Sequence, residues 1–235
     1  EGTGMKVYIG YDAGESEAAR VASKSLLSAT NGKLRPEFLH LPKLRDHGFI
    51  WRTFDRRGGQ GYDLTGNATF STDFKFTRFL VPMLCQSQHA LFVDCDMVFL
   101  RDPTEMYREV AEQPNKAVWV VKHDYTPAES FKMVGRVQTV YPRKNWSSVM
   151  LFNCYHPANR RLTLRDVNER SALDLHSFYW LHDDEIGELG PEWNWLVDVQ
   201  PRPDNLGIAH MTLGGPWLPG WQGGSFDGEW RKVLT

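Results

Sequence analysis

Two aspartates, Asp94 and Asp96, flank Cys95 at the end of the apolar run Ala90-Leu91-Phe92-Val93. In extended backbone, residues i and i+2 face the same side, about 6.5–7 Å apart. Carboxylates so placed reach one divalent ion directly or through a water, and their hard oxygens favour Mg²⁺ or Mn²⁺ over zinc. Cys95 points the other way. His210 leaves a second short apolar segment, Gly207-Ile208-Ala209, and an imidazole suits Mn²⁺ as a third ligand. Just beyond it, Gly214-Gly215 lets backbone amides approach a phosphate as a small anion nest. Each feature also has a plainer reading: a solvated strand end, a hydrogen-bonded structural histidine and a turn.

Such residues need strand ends that converge on one edge, which is where ligands bind in open α/β sheets. Residues 6–10 read as a strand, residues 15–29 as a helix ended by Asn31-Gly32, and residues 34–41 as a second strand, together a β-α-β unit. The runs at 90–93 and 149–152 are apolar without alternation, as expected of strands covered on both faces in a parallel sheet. A further strand is expected at 116–121. Helices are expected at 71–86, capped by Ser71, at 103–112 and at 158–167. Residues 42–67 carry much Arg, Gly and Asp without periodicity and read as a long surface excursion. From about residue 179 the texture becomes loop-rich and holds six of the nine tryptophans, closing the same domain rather than opening another.

Composition narrows the class. In 235 residues, 27 Lys and Arg face 29 Asp and Glu, a formal charge of −2. That balance excludes a dedicated nucleic-acid binder and a polybasic membrane anchor. With 41% hydrophobic and 24% charged residues the chain reads as a soluble globular protein, and no apolar run nears the ~18–20 residues that span a bilayer. One domain over residues 5–235 fits the length, with Glu1-Gly2-Thr3-Gly4 ahead of Met5 reading as an expression-tag remnant. Cys85, Cys95 and Cys154 are odd in number and lack CxxC spacing, so reduced thiols in the cytoplasm are expected.

Taken in order, the pieces resemble glycosyltransferase family 8 and its relatives. Val7-Tyr8-Ile9-Gly10-Tyr11-Asp12 looks like that family's first strand and donor-base loop, and Phe76-Thr77-Arg78-Phe79 like its aromatic-x-Arg helix. Residues 91–98 look like its apolar D-x-D segment and 149–153 like its central strand. Asp183-Asp184-Glu185-Ile186 sits at its acidic turn, and His210 at its metal histidine. The resemblance implies a GT-A fold: α/β, Rossmann-like, with a mixed, mainly parallel central sheet flanked by helices. It implies metal-dependent transfer of a sugar from a nucleotide-sugar donor, UDP-linked, to a hydroxyl of a glycan or small-molecule acceptor, with retention. By it, Asp94, Asp96 and His210 hold Mn²⁺ or Mg²⁺. Asp12 contacts the nucleobase beside Tyr11, Arg78 reaches the donor sugar or diphosphate, and the Asp94-Cys95-Asp96 segment and Gly214-Gly215 border the donor. Asp183 and Asp184 lie near the anomeric carbon. Trp193, Trp195, Trp217, Trp221 and Trp230 are candidates for stacking on acceptor sugars, against a plainer reading as packing aromatics.

The chain departs from that family in three places, as a divergent member does. Asn145-Trp146-Ser147-Ser148 puts a tryptophan before the central strand, where it is expected to reshape the sugar pocket. Asp184 replaces an amide, and no lysine accompanies Gly214-Gly215-Pro216-Trp217, leaving the diphosphate to backbone amides, Arg78 or Lys75. A haloacid dehalogenase-type phosphatase with Asp94 as nucleophile shares the strand-D-x-D motif. It gives no role to His210 or Arg78, and its motif opens its domain, whereas about 85 residues precede Asp94 here. A non-catalytic sugar- or nucleotide-binding domain is the third reading.

Overall fold

The computed structural model describes residues 4–57, 60–124 and 143–235. Residues 1–3 of the expected tag remnant lie outside them. Strand β1 (Met5–Gly10) runs into Asp12, whose side chain accepts the Gly14 amide and caps the following turn. Helix α1 (Ser16–Ala29) buries Ala18, Ala19, Val21, Ala22 and Leu26, one face at helical spacing. It stops where Gly32, at φ +74°, donates back to the Leu27 carbonyl, a left-handed position that glycine takes without strain. Strand β2 (Pro36–Leu39) then lies parallel to β1, completing the expected β-α-β unit.

The expected surface excursion is more ordered than its composition suggests. After α2 (Leu41–Asp46), strands β3 (Phe54–Arg57), β4 (Gln60–Asp63) and β5 (Ala68–Phe70) form a separate antiparallel sheet. Its strands are too short for alternation to register, and it is tied down by a buried Arg52–Asp63 ion pair (2.8 Å) and by Phe54 and Phe70, whose rings meet at 4.9 Å and pack on Phe76. Residues 71–86 also differ from expectation. Phe74, Phe76 and Phe79 are all buried, and one helix cannot face 74 and 76 the same way. A 3₁₀ turn, Thr77–Leu80, and the short α3 (Val81–Leu84) resolve this, and Ser71 caps neither.

The remaining elements are β6 (His89–Val93), β7 (Met97–Phe99), α4 (Tyr107–Glu112), β8 (Val118–Val120), β9 (Val149–Asn153), α5 (Leu164–Glu169), α6 (Ala172–His176), β10 (Ile186–Glu188), β11 (Trp195–Leu196), β12 (Ile208–His210) and α7 (Asp227–Leu234). The helix expected over 158–167 is divided, because Thr163 caps α5 in a reciprocal bond with Asp166. The central sheet has the order β10-β8-β9-β6-β1-β2, parallel throughout except for β9, which opposes both its neighbours. Every residue of β6 after His89 is buried, in keeping with a strand covered on both faces. A second sheet, β11-β12-β7, packs on α1, which also meets α7. Trp193, Trp195 and Trp230 are buried, and Trp217 packs on Trp230 at 5.7 Å between ring centres, so these four serve packing rather than a sugar-facing surface.

Candidate metal centre and ligand cleft

The extended backbone expected through Asp94-Cys95-Asp96 is not formed, and the break makes the site. β6 and β7 belong to different sheets, and the chain crosses between them through a turn at Asp94-Cys95-Asp96, not in extended form. The Asp94 amide donates to the Ser148 carbonyl at 3.0 Å, prolonging the β6–β9 ladder. The Asp96 carbonyl accepts from Met211 at 3.0 Å, prolonging the β7–β12 ladder, in which His210 stands opposite Met97. Two ladders thus deliver three ligands to one point. The ligand atoms of Asp94, Asp96 and His210 all lie within 4.8 Å of one another, with Asp96 and His210 buried and Asp94 partly so. His210 Nε2 is 3.5 Å from Asp96 Oδ2.

Neighbouring amides decide which histidine nitrogen faces this point. Asn194 Nδ2 donates to the Asn145 carbonyl (3.2 Å) and to Ser148 Oγ (2.9 Å), which itself donates to the Asn145 carbonyl (2.6 Å). A carbonyl is an acceptor only, so the amide cannot turn round, and Asn194 Oδ1 faces His210 Nδ1 at 3.0 Å. Nδ1 must therefore carry the proton, which leaves the Nε2 lone pair pointing at the carboxylates. Two carboxylates and an imidazole lone pair form a donor set that fits Mn²⁺ or Mg²⁺. Replacing Asn194 by leucine is expected to lower Mn²⁺ affinity, measured with UDP present, by roughly 10–100-fold. In the metal-free variant, ¹⁵N spectra of His210 should show loss of the single tautomer. Unchanged affinity would speak against this positioning role.

These groups form one side of a cleft that also holds Glu15, Lys75, Arg78, Lys144, His176 and the hydroxyls of Ser71, Thr72, Ser147, Ser148 and Thr212. Arg78 is buried. Its Nη1 lies 2.9 Å from Asp94 Oδ1 and donates to the Ser147 carbonyl at 2.7 Å, its Nε donates to the Phe74 carbonyl, and the Phe74 and Phe92 rings flank it. This guanidinium fixes Asp94 from behind while bordering the cleft. His176 Nε2 donates to the Lys75 carbonyl (3.1 Å), so Nδ1 accepts from Ser147 Oγ (2.6 Å). Burial, with Arg78, Lys75 and Lys144 nearby, holds its ring well below the usual histidine range and hence neutral.

No family model matches the chain. Protein CDI of Arabidopsis thaliana is 38% identical over 237 residues, spanning 98% of this chain and 86% of that protein. The chain belongs to the family of Protein CDI. Among solved structures, galactosyltransferase LgtC in complex with donor and acceptor sugar analogs aligns at TM-score 0.60, with 12% identity over 97% of this chain and 95% of that one. Glycosyltransferase GlyE of Streptococcus pneumoniae aligns at 0.60, with 15% identity over 99% and 60%. Mouse xyloside xylosyltransferase 1 aligns at 0.53, with 13% identity over 88% and 97%. This CDI-family chain therefore has the GT-A fold, with a mainly parallel central sheet in a single domain, and the phosphatase alternative is not favoured. Among the described residues, no helix is long and apolar enough to cross a membrane.

Within this CDI-family fold, several expected site residues stand apart from the cleft. Asp183 and Asp184 are exposed. Asp183 pairs with Arg143, and the Asp184 carbonyl accepts from Lys116 (2.6 Å), in the turn that leads into β10 at the sheet's edge. Gly214 spends its amide on the Met211 carbonyl (2.9 Å). A Cβ on Gly215 would fall 2.0 Å from the Trp217 ring, so glycine there makes room for aromatic packing. Cys95 is fully buried and donates to Glu15 (3.5 Å), and burial with the surrounding carboxylates pushes its thiol far up. Asp12 is buried, and its two oxygens accept the Gly14 and Asp73 amides (2.8 and 3.0 Å), which tie the end of β1 to the segment before the Thr77–Leu80 turn. Tyr11 is half-buried beside His40, ring centres 4.1 Å apart, at the same sheet edge. Trp146 does not reshape the pocket: its Nε1 donates to the His123 carbonyl (3.1 Å), and Lys144, Asn145, Ser147 and Ser148 line the cleft instead.

Glu15, Lys144, His176 and Asn194 were not legible as site residues. A signal existed for Lys144 alone, a cation just ahead of the apolar run at 149–152. Using it required knowing that β9 runs antiparallel, which brings that strand's start to the edge where the parallel strands end.

Proposed function

We propose that this CDI-family protein is a metal-dependent glycosyltransferase. It would take a nucleotide-sugar donor, UDP-linked, and pass the sugar to a hydroxyl of a glycan or small-molecule acceptor with retention. One observation carries the reading: Asp94, Asp96 and His210 converge in a polar cleft at the ligand-binding edge of a GT-A sheet. Bound to that set, Mn²⁺ or Mg²⁺ supplies Lewis-acid stabilisation of the diphosphate that leaves. The chain's own groups do the rest. Arg78 holds Asp94 in register, Asn194 orients His210, and the neutral His176 fixes the Ser147 hydroxyl at the cleft wall. We assign the Tyr11 ring to the nucleobase and, on the family 8 resemblance, Asp183 and Asp184 to the neighbourhood of the anomeric carbon. Retention rests on the family 8 resemblance.

The test is incubation with Mn²⁺ and each common nucleotide sugar, following nucleoside diphosphate release and the product's anomeric configuration by NMR. UDP release from one UDP-sugar, abolished by EDTA, is expected. Stabilisation by UDP with no turnover on any acceptor would overturn the transferase reading and leave a nucleotide-binding domain.

A further inference from the structure

Lys75 is half-buried in the cleft wall, and among the described residues its charge is poorly matched. Its ammonium donates one hydrogen bond, to the Thr69 carbonyl (2.9 Å), and no carboxylate of the described residues stands within ion-pair distance. The nearby carboxylate, Asp63, is held by two bonds from Arg52 (3.3 and 2.8 Å). Arg52 and Arg78 face Lys75 as like charges, and the Phe76 ring lies 5.9 Å from the ammonium. Burial, then these two guanidiniums, outweigh Asp63 and bring Lys75 down to about 8. A tie to one carbonyl needs only a neutral donor. An ammonium with N–H groups to spare, kept in a polar cleft, suits an anion.

The charges of the cleft indicate which anion. Glu15, Asp94 and Asp96 oppose Lys75, Arg78 and Lys144, so the wall is balanced, and a divalent ion leaves it two positive charges in excess. A diphosphate esterified at both ends carries two negative charges. Resting on the transferase reading above, we propose that Lys75 binds a phosphoryl oxygen of the donor's diphosphate, so that the anion lies between the Asp94–Asp96–His210 set and this ammonium.

Binding then favours the charged lysine. Near pH 8, where roughly half of the free lysine is neutral, the complex takes up a fraction of a proton, and affinity falls as pH rises further. His176, bonded to the Lys75 carbonyl, stays neutral across this range and adds nothing.

Calorimetric titration of UDP into the Mn²⁺-loaded protein at pH 8, in two buffers of different ionisation heat, separates the possibilities. Proton uptake is expected in the wild type. Lys75→Met should weaken UDP by about tenfold or more and abolish the uptake. Lys75→Arg should keep most of the affinity without the uptake, because its guanidinium remains charged. Wild-type affinity and uptake in Lys75→Met would overturn the proposal. Should that variant fail to fold, unchanged uptake in Lys75→Arg would do so. Absence of Mn²⁺-dependent UDP binding by the wild type would instead sink the reading of the site itself.

Discussion

Replacing Asp96 by alanine is expected to remove Mn²⁺-dependent UDP binding. Asp96 is buried opposite His210, and no other carboxylate than Asp94 joins them among the described residues. The variant would ask one carboxylate and one imidazole to hold a divalent ion. Partners one shell further out are worth roughly 10–100-fold in metal affinity, so loss of a ligand should cost about 100-fold or more. At a ligand concentration of 100 Kd, binding stabilises the wild type by about 2.7 kcal/mol. For a chain of this size that corresponds to a Tm rise of about 5–10 °C. In the alanine variant the rise should shrink to about 1 °C, with the ligand-free Tm as the control for folding. An undiminished shift would remove the basis for placing the ion there.

The second large effect concerns stability. Arg52 and Asp63 are both essentially inaccessible to solvent. The guanidinium spends its other donors on the Val167 and Arg170 carbonyls (both 2.8 Å) and stacks on Phe76 at 3.9 Å, while Asp63 also accepts the Thr65 and Gly66 amides. Arg52→Met would strand a buried carboxylate and two carbonyls, at an expected cost of about 3–5 kcal/mol in denaturant unfolding. Arg52→Met combined with Asp63→Asn should cost less than the two single changes added together, because the stranded charge is then gone. A cost below about 1 kcal/mol for the first variant would mean water reaches the pair. The site should feel the loss too, since β5 carries Thr69 and Phe70 to the cleft.

What could be read ahead of the structure follows the range of the forces involved. The β1-α1-β2 unit and the buried strands β6 and β9 are local patterns of apolar spacing, and local patterns survive in a sequence. Asp94, Asp96 and His210 stood out because carboxylates and an imidazole at the ends of apolar runs are chemically unusual. The β3–β5 sheet did not, because the Arg52–Asp63 pair, eleven residues apart and reinforced from α5, and the contacts of Phe54 and Phe70 with Phe76 leave no periodic trace. Asn194 was invisible for the same reason, as its meaning lies in three contacts made across the fold. The acidic turn at Asp183 and Asp184 was legible as a cluster of charge, whereas its partners Arg143 and Lys116 lie 40 and 68 residues away and leave no local trace.

The pairing of β12 with β7 has a consequence for how the molecule assembles. Ile208 meets Phe99 across more than a hundred residues of intervening chain, and closing so long a span costs entropy before the contact offsets it. A partly folded chain with the central sheet in place would own both aspartates and lack the imidazole. Affinity for the ion is then a property of the finished molecule alone.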